Sequence, residues 1–318
     1  MDKIKEKNQV KKESANTHYL DTLARLCQKS NSDAKKTLQK RAVSKYYTTE
    51  LLFGLIDLKN EREDMYWDTF HCVERLMESE GKIKGKYCKN RWCIVCNRIR
   101  TGILINQYLP KIEEWRDPRF VNLTKPKVEQ KYLSENYKLM CESYYKAWRR
   151  TYRKLGKTEA LRKTETTWKP THRTRNFHTH FHILINGKSH ADMLVKEWLK
   201  EYPTADKGAQ DNKVADKNSV LEVFKYMTKM WKTIKNEDTA DEKRVLPYPP
   251  DKMDAIFEAF YGTRSVQTYG GLKAFKEDFD NDIATVNVEE FRSEIWHWEQ
   301  DIKDWVSADG ELLVENIK

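Results

Sequence analysis

Histidines and apolar residues alternate over residues 177–185, and this segment constrains the fold more than any other part of the chain. The odd positions are Phe177, Thr179, Phe181, Ile183 and Ile185, and the even positions include His178, His180 and His182. Side chains alternate between the two faces of a β-strand, so this pattern predicts a half-buried strand with one apolar face and one imidazole face. Three imidazoles on one face favour a divalent metal site over a strand whose histidines simply face solvent.

A partner for this strand precedes it in the chain. Residues 160–168 have the composition of a strand, and the two segments most simply form an antiparallel hairpin. Glu165 then stands on the neighbouring strand and adds a carboxylate to His180 and His182. The third metal ligand is either Glu165 or His178. Imidazole suits several transition metals, whereas a carboxylate partner and a phosphate substrate favour Mg²⁺ or Mn²⁺.

A helix is predicted over residues 220–231. At 100° per residue its apolar face consists of Val220, Val223, Phe224, Met227, Met230 and Trp231. The opposite face carries Glu222, Lys225, Tyr226 and Lys229, with Glu222 and Tyr226 four residues apart and therefore neighbours. This arrangement presents a tyrosine beside a carboxylate and two lysines, although an ordinary surface helix fits the same pattern.

Closely spaced cysteines predict a second metal site. Cys88, Cys93 and Cys96 have the spacing Cys-x4-Cys-x2-Cys, which is typical of a structural zinc site with a fourth ligand nearby. Cys72 is the first choice for that ligand and His71 the alternative. A set of reduced, buried thiols without metal is the competing interpretation.

The charge is distributed unevenly along the chain. The net charge is +10, yet residues 276–318 contain 4 basic and 13 acidic residues, a net −9, which leaves +19 on residues 1–275. This positive charge indicates a polyanionic partner, and nucleic acid is the first choice. Arg91, Arg98 and Arg100 lie around the cysteines and would direct positive charge toward phosphates. The 10 Trp, 16 Tyr and 11 Phe also suit base stacking.

These observations predict four regions. Residues 1–60 form a basic helical N-terminal arm, residues 61–105 a cysteine-rich DNA-binding region, residues 106–275 the catalytic domain, and residues 276–318 an acidic helical C-terminal tail. No segment has the roughly 18 apolar residues that a membrane span requires, and the N-terminus lacks the apolar core of a signal peptide. We therefore expect a cytoplasmic protein without membrane contacts.

Taken together, these motifs resemble those of the plasmid rolling-circle replication initiator (Rep) proteins, within the HUH endonuclease superfamily. The matching segments, in order, are the cysteine motif, Phe120–Thr124, His180-Phe181-His182, Glu222-x3-Tyr226 with Lys229, and Gly262-Thr263-Arg264 with Gly270-Gly271. The resemblance covers about residues 70–275. Asn122 stands where the family usually has threonine, and Ile94 where it often has proline.

The resemblance implies an α+β fold in which helices flank a central antiparallel sheet of four or five strands, whose open face holds metal and DNA. It also implies that Tyr226 attacks a phosphodiester at a plasmid origin, on single-stranded or stem-loop DNA. That attack leaves a 5′-phosphotyrosyl link and a free 3′-hydroxyl. Lys229 or Lys225 would favour the phenolate, and Glu222 would activate water for the cut that ends replication.

The implied cofactor is catalytic Mg²⁺ or Mn²⁺, and zinc would be structural. The implied partners are the origin DNA, contacted by Arg91, Arg98, Lys225 and Arg264, and a host helicase and polymerase. Tyr269 is the next candidate for the nucleophile. Two alternatives remain open: a conjugative relaxase or HUH transposase, and a zinc-dependent DNA-binding regulator that does not cleave.

Overall fold

The computed structural model describes residues 34–79, 82–170, 176–224, 230, 232–235, 242–274 and 295–316. Within these ranges the chain is α+β, with one antiparallel sheet of five strands, one of four strands and a separate hairpin. The predicted combination of flanking helices with an antiparallel sheet of four or five strands is confirmed at this level. No helix in the described part of the chain combines the length and apolarity needed to cross a membrane.

The helices are α1 Ala34–Ile56, α2 Glu63–Phe70, α3 Ile94–Glu113, α4 Leu133–Leu155, α5 Lys188–Glu201, α6 Lys217–Phe224, α7 Pro250–Phe260 and α8 Leu313–Asn316. The strands are β1 Arg75–Ser79, β2 Lys82–Gly85, β3 Pro118–Thr124, β4 Ala160–Trp168, β5 Phe177–Asn186, β6 Asn212–Val214, β7 Lys232–Lys235, β8 Glu242–Val245, β9 Val266–Tyr269, β10 Ile295–Glu299 and β11 Asp304–Val306.

The histidine strand β5 lies at the centre of the five-stranded sheet, whose strand order is β6-β3-β5-β4-β9. Strands β4 and β5 form the predicted antiparallel hairpin, and β5 extends one residue further than the apolar pattern indicates. In their register Glu165 is opposite His180 and Lys163 is opposite His182. The hairpin therefore brings a carboxylate and an imidazole together as a cross-strand pair on one face.

The two faces of β5 differ in how completely helices cover them. The apolar side chains Phe181 and Ile183 are fully buried in the core that includes residues of α4, α5 and α7. On the other face, Leu184 packs in a separate core with residues of α3 and α6, including Leu104 and Phe224. Helices α3 and α6 therefore cover the imidazole face of β5 near Leu184, and the three histidines lie outside the covered part.

Strand β9 forms the free edge of this sheet within the described residues. Gly270, which ends the strand, has a φ of +76°, and a Cβ at this position would lie 1.6 Å from the carbonyl oxygen of Thr158. Only glycine allows so close an approach at such a φ angle. The chain after β9 is therefore fixed against the turn that leads into β4.

The smaller sheet, ordered β11-β10-β1-β2, corrects the prediction for residues 276–318. A helical tail was expected there, but residues 295–299 and 304–306 are strands, and only α8 is helical. The reason is hydrophobic burial: Trp296 and Trp305 are fully buried, and the indole of Trp305 donates to the Val73 carbonyl at 2.7 Å. Residues 275–294 lie outside the described part.

The predicted N-terminal arm, residues 1–60, is helical in its described part, as expected, but that helix is not a separate arm. Helix α1 belongs to the folded body, because Leu51, Leu52 and Leu55 are fully buried in the main core. Leu38, nearer the start of the helix, is buried in the core that contains the cysteines. Helix α1 therefore connects the two sheets. Residues 1–33 lie outside the described residues.

Candidate metal centres

Glu165, His180 and His182 form a group with the geometry of a metal site, here called the histidine group. The Oε2 atom of Glu165 lies 3.3 Å from Nε2 of His180 and 2.9 Å from Nε2 of His182. Two ligands that each bind one ion at about 2.1 Å are themselves about 3.0 to 3.4 Å apart in octahedral or tetrahedral geometry. The spacing therefore fits a shared divalent ion, as the strand pattern predicted.

The histidine group is shallow and retains contact with solvent. The side chains of Glu165, His180 and His182 are 11%, 13% and 10% exposed. The ring of His182 stacks on Phe120 of β3, with centroids 5.6 Å apart and planes inclined by 24°. The strands and this aromatic contact hold the ligands in place, while the remaining exposure leaves room for a further ligand, which catalytic metal sites require.

The protonation states favour cation binding. Burial raises the pKa of Glu165, but hydrogen bonds from His180 and His182 outweigh it and hold that pKa below its usual range. Burial lowers the pKa of His182, so its imidazole is held neutral. An ionised carboxylate and a neutral imidazole are the forms in which these side chains bind metal.

His178, the alternative third ligand, makes a different contact. Its Nε2 atom is hydrogen-bonded to the hydroxyl of Thr124 on β3, and burial lowers its pKa to about 4. Its ring centroid lies 5.6 Å from that of His180. Of the two candidates, the geometry places Glu165 in the histidine group and leaves His178 beside it.

Two polar side chains next to the histidine group were missed by the sequence analysis. Lys163 is 1% exposed, lies two positions before Glu165 on the same face of β4, and donates to the Glu222 carbonyl at 3.4 Å. Asn122 of β3 is opposite His182, and its buried Oδ1 has no hydrogen-bond partner among the described residues. The signal for Lys163 was present, because residues two apart in a strand share a face.

Helix α6 brings Glu222 close to this face. The helix predicted over 220–231 is described as Lys217–Phe224, and Val220, Val223 and Phe224 are buried as expected. Thr101 of α3 donates to the Phe224 carbonyl at 2.9 Å, which ties the end of α6 to α3. The chain is thus fixed two residues before Tyr226. Lys225, Tyr226 and Lys229 themselves lie outside the described residues.

Tyr269, the second candidate for the nucleophile, lies on the wrong face of the sheet. It packs on Tyr144 and Trp148 of α4, with ring centroids 5.1 and 5.0 Å away. Its hydroxyl donates to Gln267 at 2.9 Å, and burial raises its pKa to about 12. A phenol that is opposite the histidine group and hard to ionise is a poor candidate for attack on a bound phosphate.

Cys72, Cys88, Cys93 and Cys96 form the second group, here called the cysteine group. Sγ of Cys72 lies 3.6 Å from those of Cys93 and Cys96, and Sγ of Cys88 lies 3.7 Å from that of Cys96. Four sulfurs bound to zinc at about 2.3 Å in a tetrahedron are about 3.8 Å apart. The distances therefore fit a four-cysteine zinc site and are far longer than a disulfide bond.

Backbone geometry around the cysteine group favours thiolates. The N–H groups of Cys88, Asn90 and Cys96 each donate to a cysteine sulfur at 3.4 Å. Such bonds stabilise negative charge on sulfur, which is the form that binds zinc. His71, the alternative fourth ligand, is instead paired with Glu74 at 2.7 Å on the surface. The geometry therefore places Cys72 in the cysteine group and His71 outside it.

A buried lysine accompanies the cysteine group. Lys45 of α1 is 2% exposed, and its ammonium donates to the Phe70 carbonyl. Burial lowers the pKa of Lys45, while the nearby charges of Cys72 and Cys93 act in the opposite direction. Four thiolates around Zn²⁺ carry excess negative charge, so a cation at this position would partly offset it.

The candidate DNA-binding arginines divide into two sets. Arg91 donates to the Ser265 hydroxyl at 2.9 Å, next to the exposed Arg264, so these two lie together. Arg98 instead points at α1, where it donates to the Lys40 carbonyl at 3.2 Å. Arg100 is buried beside Arg91 and donates to the Lys89 carbonyl at 2.9 Å.

Comparison of the chain with protein-family models, with curated proteins and with solved structures finds no match. The functional proposal therefore rests on the two candidate metal groups and their surroundings.

Proposed function

We propose that this chain is a metal-dependent DNA strand transferase. It nicks one strand at a plasmid origin through a tyrosine nucleophile and so starts rolling-circle replication. The observation that carries the proposal is the histidine group, together with α6, which packs against the same face and leads directly to Tyr226. The resemblance to replication initiators supplies the biological setting.

The histidine group suits a phosphate substrate. One carboxylate and two neutral imidazoles around a divalent ion leave a net charge of roughly +1, which attracts a phosphodiester. A divalent ion held there polarises the phosphate and offsets charge in the transition state. Glu165 fixes the charge of the site, Phe120 holds the ring of His182, and the exposed rim leaves room for DNA.

Tyr226 needs help to act as a nucleophile at neutral pH. A phenol with a pKa of about 10 is only about 0.1% ionised at pH 7, a deficit of about 4 kcal/mol. Lys225 and Lys229 are predicted to share its helix face and would favour the phenolate. Tyrosine attack then forms a 5′-phosphotyrosyl ester and releases a 3′-hydroxyl, without consuming water. Glu222, one turn before Tyr226, is proposed to activate water for the hydrolysis that ends the cycle.

The charge of the chain supports a DNA substrate. Residues 1–275 carry a net charge of +19, and Arg91 and Arg264 lie together near the sheet edge. A non-catalytic zinc-dependent regulator would account for this charge and for the cysteine group. It would leave the histidine group without a role, and for that reason the enzyme is preferred.

The test uses supercoiled plasmids that carry the DNA flanking the gene, incubated with the protein and Mn²⁺. Wild type should convert supercoiled DNA to the open-circular form and leave protein covalently attached to a 5′ end, which migrates as a shifted band on denaturing gels. Tyr226→Phe should abolish the attachment while binding the same DNA within a few-fold. Tyr132→Phe, the matched control at an exposed tyrosine outside the histidine group, should retain attachment.

Two results would contradict the proposal. Wild type that only retards the DNA, with no nick at any Mn²⁺ or Mg²⁺ concentration, would identify a regulator. A covalent adduct that survives Tyr226→Phe would remove Tyr226 from the nucleophile role. Nicking that requires a conjugative transfer origin or a transposon end, and not the flanking DNA, would identify a relaxase or transposase instead.

A further inference from the structure

A pocket of about 510 Å³ lies at the free edge of the five-stranded sheet. Its walls come from α3, from α4 and from the segment that contains β9, and they include Arg100, Tyr145 and Thr268. Pockets of about 300 to 1,000 Å³ are the size that holds small ligands. Glu165, His180 and His182 do not line this pocket, and the proposed chemistry assigns it no function.

One end of the pocket is strongly basic. Arg91 lies just before α3, Arg100 lies in α3 and Arg264 lies just before β9, and all three line the pocket. Arg100 is 5% exposed and is held by Asn97 at 2.9 Å, whereas Arg264 is exposed at the rim. Guanidinium groups bind phosphate well because their planar fork of donors matches its oxygens. The basic end therefore fits a phosphate group.

The remainder of the pocket is aromatic and apolar. Tyr269 is held against Tyr144 and Trp148, and the 54% exposed Tyr145 lies at the opening. Leu104 and Leu272 contribute buried apolar surface. Aromatic rings beside arginines form the combination that binds single-stranded nucleic acid, where each base stacks on a ring and each phosphate meets a cation.

The edge of the sheet adds hydrogen-bonding groups to this wall. Strand β9 pairs with β4 on one side only within the described residues. An edge strand presents backbone N–H and C=O groups that a ligand can use. Gln267 and Thr268, which point to opposite faces of β9, both line the pocket. The donor and acceptor edge of a nucleobase is a suitable partner for such a surface.

The pocket lies next to the histidine group along the sheet. The N–H of Thr164 donates to the Ser265 carbonyl at 2.9 Å, which continues the β4–β9 pairing beyond β9. Glu165 follows Thr164, so the backbone of Arg264 is about one strand spacing, roughly 5 Å, from that of Glu165. A nucleotide in the pocket is therefore close to a phosphodiester at the histidine group.

We propose that this pocket binds one unstacked nucleotide of the single strand that is cut, close to the scissile phosphate. The arginines bind the phosphate of this nucleotide, and the tyrosines and leucines pack against its base. The backbone groups of β9 form hydrogen bonds with the edge of the base. The pocket would then set part of the sequence preference at the nick site. This inference rests on the proposed function for its substrate, and its test separates the two.

Binding is measured by fluorescence anisotropy, with labelled homopolymers of about 12 residues of dT, dA or dC as probes and with unlabelled mononucleotides as competitors. Wild type should distinguish the homopolymers, and the mononucleotide of the preferred base should compete better than inorganic phosphate. Thr268→Phe, which fills the pocket, should abolish the distinction and weaken binding of the preferred homopolymer at least about 10-fold.

Arg264→Gln removes one charge at the rim and should leave the fold intact, because the side chain is exposed. It should weaken the binding of all three homopolymers by a similar factor, about 5- to 20-fold. The slope of the logarithm of the binding constant against the logarithm of the salt concentration should fall in magnitude by about one, the contribution of one phosphate contact. Arg116→Gln, a matched control at an exposed arginine after α3 and outside the pocket, should change binding less than 2-fold. Thermal unfolding of each variant verifies that it is folded.

The outcomes separate the pocket from the proposed function. Competition by inorganic phosphate equal to that of every mononucleotide would reduce the pocket to an anion site and overturn the inference. So would unchanged base preference in folded Thr268→Phe. If wild type never nicks the plasmids but Thr268→Phe still loses base preference, the pocket inference stands and the strand-transfer function fails. If Thr268→Phe nicks and binds like wild type, the pocket inference fails and the strand-transfer function stands.

Discussion

The cysteine group and the histidine group differ in depth and in charge. Three of the four cysteines are buried and 1% exposed or less, and they are bound by backbone N–H groups on several sides. The histidine group is shallow and lies beside the open part of the sheet. With a divalent ion, four thiolates carry roughly −2 and the histidine group roughly +1. The first would repel a phosphodiester and stabilise the fold, whereas the second would attract one.

A buried lysine stands beside each group, and the two have different consequences. With zinc bound, Lys45 would offset part of the excess negative charge of the cysteine group. Lys163 adds to the positive charge of the histidine group and also holds α6 through the Glu222 carbonyl. The first lysine therefore favours metal retention, while the second favours an anionic substrate and the position of the helix that leads to Tyr226. The following predictions test this division of roles.

The largest expected effect is that of Cys96→Ser on stability. Structural zinc contributes about 10 to 16 kcal/mol of apparent binding free energy in small domains, and one lost ligand forfeits a large part of it. We expect bound zinc to fall from about one per chain toward zero and the free energy of unfolding to drop by at least about 3 kcal/mol. Elemental analysis and chemical denaturation measure the two quantities.

Cys141→Ser is the matched control, because Cys141 lies outside the cysteine group and contacts Arg162 at 3.6 Å. It should keep the full zinc content and lose about 1 kcal/mol or less. Zinc-free wild type, prepared freshly under reducing conditions and as stable as the zinc-loaded protein, would show instead that the cysteines are buried thiols.

The histidine group should respond in the opposite way, with loss of activity and little loss of stability. His182→Ala should reduce nicking by about 10³-fold or more, since charge neutralisation at a phosphate contributes several kcal/mol. Zinc content and the unfolding midpoint should change little. A gel assay of nicking at saturating Mn²⁺, run beside thermal unfolding, separates the two effects.

Mn²⁺ titration by calorimetry identifies the third ligand of the same group. Glu165→Gln should weaken Mn²⁺ binding at least about 100-fold, because the amide removes the only anionic ligand, whereas His178→Ala should change it by less than about 10-fold. Reversed magnitudes would assign His178 to the ion and leave Glu165 as its hydrogen-bond partner.

Glu222→Ala should separate cutting from release. The alanine keeps the backbone carbonyl that accepts from Lys163, so α6 should retain its position. Initial nicking and attachment should persist, while hydrolytic release slows by about 10²-fold, the usual contribution of a positioned base. Pre-formed adduct, chased with excess unlabelled DNA, gives the release rate. Equal loss of nicking and release would make Glu222 a structural residue or a metal ligand.

Local patterns predicted the histidine group well. The period-two alternation of β5 and the short connection to β4 fix which residues face each other, so Glu165 could be placed beside His180 from the sequence. The cysteine group followed from spacing in the same way. Both are short-range consequences of strand and turn geometry.

Long-range packing accounts for what the sequence did not reveal. The acidic composition of 276–318 concealed the two buried tryptophans that place β10 and β11 beside β1. The cysteine spacing also did not reveal that α3 begins at Ile94, where Cys93 caps the helix and at the same time belongs to the cysteine group. The pocket at the β9 edge depends on α3 and β9 lining one cavity, although their residues are far apart in sequence.

The smallest expected effect, and the one that tests the charge argument most directly, is that of Lys45→Met. If Lys45 offsets the negative charge of the cysteine group, its removal should speed zinc loss to a chelator by about 10-fold, or about 1 to 2 kcal/mol, the usual cost of deleting a buried partner. Methionine preserves most of the apolar stem, which limits cavity effects. Lys40→Met, at an exposed position of the same helix, should leave zinc loss unchanged. Nicking by both variants should equal that of wild type, because the histidine group lies in the other sheet. Zinc loss that is equally slow in Lys45→Met and wild type would mean that Lys45 serves only to cap the Phe70 carbonyl. The cysteine group and the histidine group would then differ in their burial, with no contribution from Lys45 to the charge around the cysteines.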